Sequence, residues 1–282
     1  MLPYIVPKRK LKVAVAVPST GQWRASMAIH FSSLCSFTSM HTGGNIALAV
    51  LGREGSVITN QRNALVDTAL EIGADYLLQI DADMQFPPES LLRLLGHEKD
   101  VVGAFYNKRV APYETLGRLE LPEGTSQETA QAIVNKGGLQ EASQMPGGMV
   151  LTDCNVYRSL TWPWYFESYH RPGDGVETFK EMMRDHYPTQ PPKEALDEIV
   201  KNEAFAAWLR HNAKLEEESK SSRFYTSEDY GFSRKVRRYG FKIWCDLDLS
   251  FEMGHVGEHT ITCKNAATKP KEEETKPLQR IA

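Results

Sequence analysis

Little in this sequence of 282 residues marks a specialised class of protein. The four cysteines (Cys35, Cys154, Cys245 and Cys263) form no Cys-x-x-Cys pair, which excludes a zinc ribbon and favours buried thiols in a reducing compartment. No apolar run reaches the roughly 18 residues of a transmembrane helix, and residues 1–12 lack the apolar core of a signal peptide. We therefore expect a cytoplasmic protein without a membrane span.

The sequence also lacks a large excess of charge of either sign, with 33 Lys and Arg residues against 36 Asp and Glu residues. The net charge of −3 gives no overall attraction to nucleic acid or to a membrane surface. The pattern Gly-x-x-x-x-Gly-Lys-Ser/Thr is absent, which excludes a P-loop phosphate site. What remains, 41% apolar and 24% charged residues, is the composition of a globular protein long enough to bury a large core.

Apolar strands and helices alternate through the first half of the sequence. The patterns predict strands over residues 11–17, 45–51, 76–80 and 101–105, and helices over 22–40, 56–72 and 88–95. This order predicts an α/β fold, a three-layer sandwich around a mostly parallel central sheet.

The second half is less regular. Its patterns indicate a hairpin arm over 110–120, a loop or short helix over 122–135, a strand over 149–152, a helix over 227–239 and a strand over 241–245. Residues 170–222 show amphipathic patterns over 177–186 and 192–218, which we interpret as a helical insertion. The Lys/Glu/Pro/Thr-rich segment 264–282 predicts a disordered tail.

The most informative segment is the apolar run 76–80 followed by Asp81-Ala82-Asp83. Such a run indicates a buried parallel strand, and open α/β sheets bind ligands at the carboxyl ends of their strands. Residues i and i+2 of a strand share a face, so Asp81 and Asp83 can point into one cleft. Two carboxylates that close favour a divalent cation, which can also hold a diphosphate. Acidic pairs at strand ends also occur as caps and solvated turns.

Further motifs accompany this pair along the chain, and most of them have an ordinary structural alternative. They are Asn60-Gln61-Arg62-Asn63, Gly147-Gly148, Trp164-Tyr165-Phe166, Ser227-Glu228-Asp229-Tyr230 and Gly254-His255. The alternatives are an exposed helix arginine for Arg62, a packed hydrophobic corner for the aromatic segment, a helix cap for the acidic pair and a loop histidine for His255.

Taken together in this order, the motifs resemble those of nucleotide-sugar glycosyltransferases of the GT-A fold, of the family-2-like type found in bacteria and phages. The resemblance covers residues 11–260, with 170–222 unmatched. It implies a GT-A (Rossmann-like) domain over 1–263 that contains the insertion. It also implies transfer of a hexose from a nucleoside-diphosphate sugar to an acceptor hydroxyl.

The resemblance implies a metal site. Asp81 and Asp83 match the Asp-x-Asp motif, in which Asp83 would bind Mn²⁺ or Mg²⁺ and Asp81 would hold the ribose or the metal through water. His255 matches a histidine that completes the metal shell, with His259 as a substitute. The chemistry needs such an ion because a nucleoside diphosphate gains negative charge as it leaves.

Glu228 and Asp229 match the acidic pair at the acceptor site of the family. The resemblance implies that Asp229 takes the proton from the acceptor hydroxyl, with Glu228 as the second choice, since an alcohol is a poor nucleophile without a base. This pattern leans toward inversion at the sugar carbon without settling it.

The resemblance also implies contacts on both substrates. Donor-binding residues would be Pro18, Ser19, Thr20, Arg62, Asp81 and Ala82. Acceptor-binding residues would be Gly147, Gly148, Trp164 and Phe166. The family's uracil-reading aspartate is missing from residues 52–55, where Glu54 is a possible stand-in, so both UDP- and GDP-sugars stay open. Lys108 and Arg109 either add positive charge near the donor or form a solvated turn.

Several alternatives remain at this point. The basic residues Arg234, Lys235, Arg237, Arg238 and Lys242 suit either a solvated helix face or a polyanionic acceptor such as modified DNA, as in phage enzymes. A glycan or a small molecule is an equally open acceptor. A nucleotidyltransferase and a non-catalytic sugar-binding module are the competing functions. Residues 170–222 would cover the acceptor cleft or form a dimer contact, and segments 122–145 and 256–264 would close over the donor.

Overall fold

The structure is a computed structural model that describes residues 9–111, 113–169, 176, 179–180, 193–218, 225–256 and 260–262. The tail from residue 264, His259 and most of the helix expected over 177–186 lie outside these residues. The chain divides into two compact units, one of Met1–Phe166 with Asp229–Ala282 and one of Glu167–Glu228. Within the described ranges, no helix has the length and apolar character needed to cross a membrane.

The strands and helices follow in chain order. The strands are β1 (Leu11–Ser19), β2 (Ile46–Glu54), β3 (Tyr76–Ile80), β4 (Met84–Gln85), β5 (Val101–Gly103), β6 (Tyr106–Asn107), β7 (Thr115–Leu116), β8 (Arg118–Leu119), β9 (Leu139–Gln144), β10 (Met149–Asp153), β11 (Ser168–Tyr169), β12 (Tyr225–Thr226), β13 (Ile243–Asp246), β14 (Gly254–Val256) and β15 (Thr260–Thr262). The helices are α1 (Ala25–Thr42), α2 (Ile58–Glu71), α3 (Ser90–Gly96), α4 (Gln127–Lys136), α5 (Cys154–Ser159), α6 (Lys193–Val200), α7 (Glu203–Glu218), α8 (Glu228–Arg238) and α9 (Leu247–Ser250).

An eight-stranded sheet forms the centre of the first unit, with the strand order β2-β1-β3-β10-β5-β13-β9-β8. Strand β1 runs parallel to β2 and β3, and β13 runs parallel to β5. Strands β10 and β9 run against their neighbours. Six of the eight strands therefore run in one direction, which confirms the fold class predicted from the sequence.

Strand β1 shows why the sheet needs helices on both faces. Val13, Val15 and Val17 are fully buried in one apolar cluster, whereas Ala14 and Ala16 are fully buried in another. Successive side chains of a strand point to opposite faces, so both faces of β1 are covered. Helices α1 and α3 contribute to the first cluster, and α2, α5 and α8 contribute to the second. The result is the expected three-layer arrangement.

The antiparallel insertion of β10 could not be read from the sequence pattern. After β5 the chain forms β6 and β7 outside this sheet, adds β8 and β9 at one edge of it, and then enters it again as β10 between β3 and β5. A short apolar segment carries no mark of its direction, because direction depends on the path of the preceding connection. Met149 at the start of β10 pairs with Ile80 at the end of β3, which sets the site described below.

Two helical segments differ from their predicted form. The loop or helix expected over 122–135 is the helix α4, whose N-cap Ser126 accepts a hydrogen bond from the Thr129 N–H at 3.1 Å. The single helix expected over 192–218 is two helices, α6 and α7. The Asn202 side chain between them accepts a hydrogen bond from the Phe205 N–H at 3.0 Å and so caps α7.

A buried charged cluster fixes the end of β13. The Asp246 side chain is almost fully buried and caps α9 by accepting a hydrogen bond from the Leu249 N–H at 2.8 Å. Its other oxygen, Oδ2, lies 2.9 Å from His97 Nε2. Arg93 Nη2 lies 3.7 Å from Oδ1, the oxygen that caps the helix. Burial acts to raise the pKa of Asp246, but the hydrogen bonds from His97 and Leu249 and the charge of Arg93 lower it overall.

We expect Asp246→Asn to lower the free energy of unfolding by about 1–3 kcal/mol near neutral pH, because a buried charged hydrogen-bond acceptor is lost. The lowered pKa means that the contribution of the carboxylate is complete above its unfolded pKa of about 4 and is lost as the pH falls through the lower folded value. Urea unfolding of the unaltered protein and of the variant, from neutral to acidic pH, measures the gap between their free energies of unfolding. This gap should narrow below about pH 4.

The matched control is Asp248→Asn, which changes an exposed carboxylate in the same short helix. We expect it to change the free energy of unfolding by less than about 0.5 kcal/mol. A gap for Asp246→Asn that stays constant into the acid range would contradict the assigned role of the charge.

Candidate active site

The candidate site forms where the carboxyl end of β3 meets the start of β10. The Asp81 N–H donates a hydrogen bond to the carbonyl of Gly148 at 3.1 Å. Because β10 runs antiparallel to β3, its first residues lie at the same edge of the sheet as the last residues of β3. Asp81 and the Gly147-Gly148 pair, separate motifs in the sequence, therefore come together at the edge where open α/β sheets bind ligands.

Both glycines are required by close packing. A Cβ atom on Gly148 would overlap the ring of Tyr106 and would lie 3.0 Å from the sulfur of Met84. A Cβ atom on Gly147 would overlap the guanidinium of Arg62. The glycines thus let the backbone of one strand approach side chains of the site that any larger residue would displace.

The buried side chain of Arg62 links the residues of this edge by hydrogen bonds. Its side chain is 2% exposed, and Nη2 donates a hydrogen bond to Asp81 Oδ1 at 2.6 Å. Nη1 donates to Gln79 Oε1 at 2.9 Å and to the Gly147 carbonyl at 3.3 Å. The structure therefore places the predicted donor-binding arginine against protein groups, where it orients Asp81.

Gly147 also connects Asp81 with the candidate base. Its N–H donates a hydrogen bond to Asp229 Oδ2 at 3.1 Å, while its carbonyl accepts from Arg62. Burial raises the pKa of Asp81, Arg62 opposes the rise, and the charges of Asp83 and Asp229 add to it. Three carboxylates thus act on one another in a small volume. Glu228, the second candidate, begins α8 one residue before Asp229.

Asp83 and His255 come together through strand pairing. Strand β14 pairs with β4, so that His255 lies opposite Met84, and the Val256 N–H donates to the Asp83 carbonyl at 2.8 Å. His255 Nε2 then lies 3.3 Å from Asp83 Oδ2. These two residues are 172 positions apart in the sequence, and the pairing of two short strands is what joins them.

The other nitrogen of His255 fixes its tautomer. Nδ1 lies 2.9 Å from the Asn107 carbonyl, and since a carbonyl can only accept, Nδ1 carries the proton. In the neutral ring, Nε2 then carries a lone pair that faces Asp83. Burial acts to lower the pKa of His255, but its hydrogen bonds to Asp83 and Asn107 raise it overall. A positive charge is therefore favoured at this point, either as the imidazolium or as a bound cation.

The donor atoms fit a divalent cation that shares its shell with a ligand. Two ligands about 2.1 Å from one ion at adjacent octahedral corners lie about 3 Å apart, close to the 3.3 Å between Asp83 Oδ2 and His255 Nε2. A backbone carbonyl behind a ligating histidine is the usual second contact of such a site. Among the residues that the structure describes, no three or more His, Cys, Asp or Glu side chains are arranged so that together they could hold a metal ion. The described part of the chain thus offers few ligands, as in sites that phosphate oxygens complete.

Arg109 is the closest cation to this pair of ligands. Its Nη1 donates a hydrogen bond to Asp83 Oδ2 at 2.7 Å, and its side chain is 53% exposed. Burial acts to raise the pKa of Asp83, but His255 and Arg109 lower it overall, so Asp83 is held as a carboxylate. The sequence left open whether Arg109 lies near the site or in a solvated turn, and the structure places it at the site.

Tyr106 is a residue of the site that the sequence analysis missed. It is buried, its ring meets that of His255 edge-on at 5.0 Å, and it packs against Gly148. Burial, together with the charges of Asp81 and Asp229, raises its pKa well above the ordinary value. Its only signal in the sequence is its place shortly after β5, at the same edge of the sheet.

The first strand ends at a neighbouring point of this edge. Pro18 and Ser19 pair with Arg53 and Glu54 at the ends of β1 and β2, and Thr20, which follows them, is exposed. Ala82, between the two aspartates, packs against the core. These positions suit the predicted donor contacts, which remain a prediction. The carboxylate of Glu54 lies against Gly21 and is exposed.

The aromatic segment does not offer the ring that the sequence suggested. Trp164 is buried in the core, and its indole N–H donates to the Tyr157 carbonyl at 2.8 Å, so its ring has no free face for an acceptor. The reason is Asn63, whose Oδ1 accepts hydrogen bonds from two backbone N–H groups of this segment at 3.0 Å each. Phe166 is half-buried, and Trp162 is 66% exposed. Trp162 and Phe166 are therefore the rings of this segment that a ligand can reach.

Three of the basic residues on and after α8 make polar contacts within the protein. Lys235 Nζ donates to the Thr161 and Pro163 carbonyls at 2.8 and 2.7 Å. Arg237 pairs with Glu120 at 2.8 Å, and Lys242 pairs with Glu141 at 2.7 Å. These contacts favour the structural reading of the cluster over a surface for a polyanion.

No protein-family model and no curated protein matches the sequence. Similar solved structures include GalNAc-T7 with UDP, GalNAc and Mn²⁺ (10% identity over 89% of this chain and 45% of that chain, TM-score 0.48). They also include A197 from STIV (16% identity over 55% of this chain and 72% of that chain, TM-score 0.38). A third is a glycosyltransferase involved in the glycosylation of the major capsid of PBCV-1 (11% identity over 67% of this chain and 74% of that chain, TM-score 0.27). The chain spans less than half of the GalNAc-T7 chain.

We expect Gly148→Ala to lower the free energy of unfolding by about 1–3 kcal/mol, because the added methyl group overpacks the contact with Tyr106 and Met84. Gly52→Ala, at a strand position where a Cβ atom meets nothing within 4 Å, is the matched control and should leave stability nearly unchanged. Urea unfolding measures both. Equal stability of the two variants would show that Gly148 is not closely packed.

Proposed function

We propose that the protein is a metal-dependent glycosyltransferase that moves a sugar from a nucleoside-diphosphate sugar to an acceptor hydroxyl. The observation that carries the proposal is the approach of Asp83 Oδ2 and His255 Nε2 to 3.3 Å, at the same sheet edge as Asp81 and Asp229. The nitrogen and oxygen donors suit Mn²⁺, with Mg²⁺ as the second choice.

Asp83 and His255 would hold the cation, and the carbonyl of Asn107 would keep His255 in the tautomer that presents its lone pair. When bound, the ion supplies positive charge to the diphosphate as the bond to the sugar breaks. Its shell would be completed by phosphate oxygens, because the described part of the chain brings no third His, Cys, Asp or Glu side chain into position to hold the ion with these two.

Asp81 has a different task in this arrangement. Arg62 takes one of its oxygens, which fixes the direction of the second oxygen. The side chain of Asp81 is 26% exposed, so that this second oxygen can accept a hydrogen bond from a sugar or ribose hydroxyl. Arg62 thereby acts as a positioning residue for the donor site, where the sequence had suggested a direct contact.

Asp229 is the proposed base for the acceptor hydroxyl. Its carboxylate is oriented by the N–H of Gly147 and by the N–H of Tyr230 at 2.8 Å. The first of these groups belongs to the same peptide segment that contacts Asp81 and Arg62, which ties the base to the donor edge. A base that activates the acceptor hydroxyl for direct attack on the sugar carbon favours an inverting reaction, because the diphosphate is then displaced in one step. A glycan or a small molecule fits as the acceptor better than DNA, given the pairing of the basic cluster.

The first test is binding of Mn²⁺ and of a nucleoside diphosphate. We expect calorimetry to show that Mn²⁺ promotes binding of UDP or GDP, and that Asp83→Asn or His255→Gln weakens this effect by about tenfold or more, as loss of a metal contact does. Asp67→Asn, an exposed carboxylate on α2, is the control. Binding that is indifferent to Mn²⁺ in the unaltered protein would refute the metal-dependent mechanism.

The second test separates the base from the donor site. We expect Asp229→Asn to keep Mn²⁺-dependent diphosphate binding and to lower the rate of sugar transfer by about 10²–10⁴-fold, as loss of a general base does. The rate is followed as nucleoside diphosphate released in the presence of an acceptor. Glu228→Gln is the matched variant. If Glu228→Gln abolishes transfer and Asp229→Asn does not, the assignment of the base is reversed.

A further inference from the structure

Arg109 is placed on a hairpin whose base is part of the site. Strands β6 and β7 pair through Tyr106 with Leu116 and Asn107 with Thr115. Asn107 is buried, its side chain accepts a hydrogen bond from the Thr115 hydroxyl at 2.8 Å, and its carbonyl fixes His255. The base of the hairpin is therefore anchored two residues before Arg109.

The end of the hairpin is open to solvent. Lys108 and Arg109 are 48% and 53% exposed, and Val110 is 68% exposed. Arg109 reaches back from this exposed turn to Asp83 with its long side chain alone. The guanidinium can therefore change partners without any change in the strand pairing that holds His255.

The contact of Arg109 conflicts with the proposed cation. Asp83 Oδ2 lies 2.7 Å from Arg109 Nη1 and 3.3 Å from His255 Nε2. This is the oxygen that faces His255, so a cation bound between the two ligands would lie beside the guanidinium that now pairs with that oxygen. Two positive charges at one carboxylate oxygen repel each other. Arg109 and the cation must therefore compete for Asp83.

A guanidinium displaced in this way has a ready partner. The cation would bring a diphosphate to the same place, and a diphosphate carries more negative charge than one carboxylate. The planar fork of arginine matches phosphate oxygens in a bidentate contact, which the point charge of lysine does not reproduce. The exposed turn keeps the guanidinium within reach of any group bound at Asp83.

We propose that Arg109 is a diphosphate-binding residue, which neutralises Asp83 in the free protein and moves to the donor diphosphate when a divalent cation occupies Asp83. The inference rests on the proposed function. It gives Arg109 two opposing effects, since it hinders binding of the bare cation and assists binding of the cation with a diphosphate. A role in stability alone would not produce opposite signs, because a pair this exposed adds little to folding.

The test is Arg109→Gln, with Mn²⁺ alone and with UDP or GDP in the presence of saturating Mn²⁺, each measured by calorimetry. We expect the variant to bind Mn²⁺ alone about two- to fivefold more tightly, as loss of a competing exposed ion pair allows. We expect it to bind the diphosphate about tenfold or more weakly, as loss of a charged hydrogen bond implies. Arg109→Lys should recover the Mn²⁺ affinity of the unaltered protein and only part of the diphosphate affinity.

Lys108→Gln is the matched control, because it removes one positive charge from the same turn, where Lys108 pairs with Glu114. It should leave both affinities within about twofold of the unaltered protein, as an exposed ion pair allows. Thermal unfolding of each variant confirms that the hairpin is intact. Changes of the same sign in both affinities, or equal effects of Lys108→Gln and Arg109→Gln, would overturn the inference while the proposed function stands. An unaltered protein that binds neither diphosphate with Mn²⁺ would overturn both.

Discussion

The buried guanidinium of Arg62 is the contact on which the geometry of the candidate site depends. It lies at 2% exposure and ties together the end of β3, through Asp81 and Gln79, and the segment before β10, through Gly147. Removing one partner of a buried ion pair leaves an uncompensated charge, at a cost of roughly 3–5 kcal/mol. The position of Asp81 is thus fixed by the interior of the protein before any ligand arrives.

The same contact carries through to the other carboxylates. Gly147 accepts a hydrogen bond from Arg62 through its carbonyl and donates one to Asp229 through its N–H, so that this residue links the arginine that orients Asp81 with the candidate base. Asp83 lies outside this network and depends on His255 and Arg109 for its neutralisation. The site is therefore divided into a rigid part around Arg62 and a part whose positive charges are partly exposed and exchangeable.

The sequence predicted most of the fold and the main acidic residues, for identifiable reasons. Apolar runs such as Leu11–Val17 are read directly as strands, and the place of Asp81 and Asp83 at a strand end follows from the alternation of strands and helices. Nothing local showed that β10 enters between β3 and β5, or that β14 pairs with β4. Long-range pairings of short strands depend on the whole path of the chain, which is why the approach of His255 to Asp83 had to be taken from a resemblance.

Burial was the second quantity that the sequence did not reveal. Trp164 and Trp162 lie two residues apart and have the same chemistry, yet one is core and the other exposed. The difference comes from Asn63, which binds the backbone of this aromatic segment through hydrogen bonds over 101 and 102 positions of the chain. Tyr106 was missed for a related reason, since a lone tyrosine after a strand gives no sign of the charges that surround it.

Arg62 and Asn63 are neighbours on α2, and adjacent residues of a helix point in directions about 100° apart. Arg62 donates a hydrogen bond to Asp81 at the acidic edge, and Asn63 donates one to the Tyr165 carbonyl in the segment that contains Trp162 and Phe166. A single turn of α2 is therefore hydrogen-bonded to both regions of the site. Any rigid shift of α2 would therefore displace the acidic edge and the aromatic segment together.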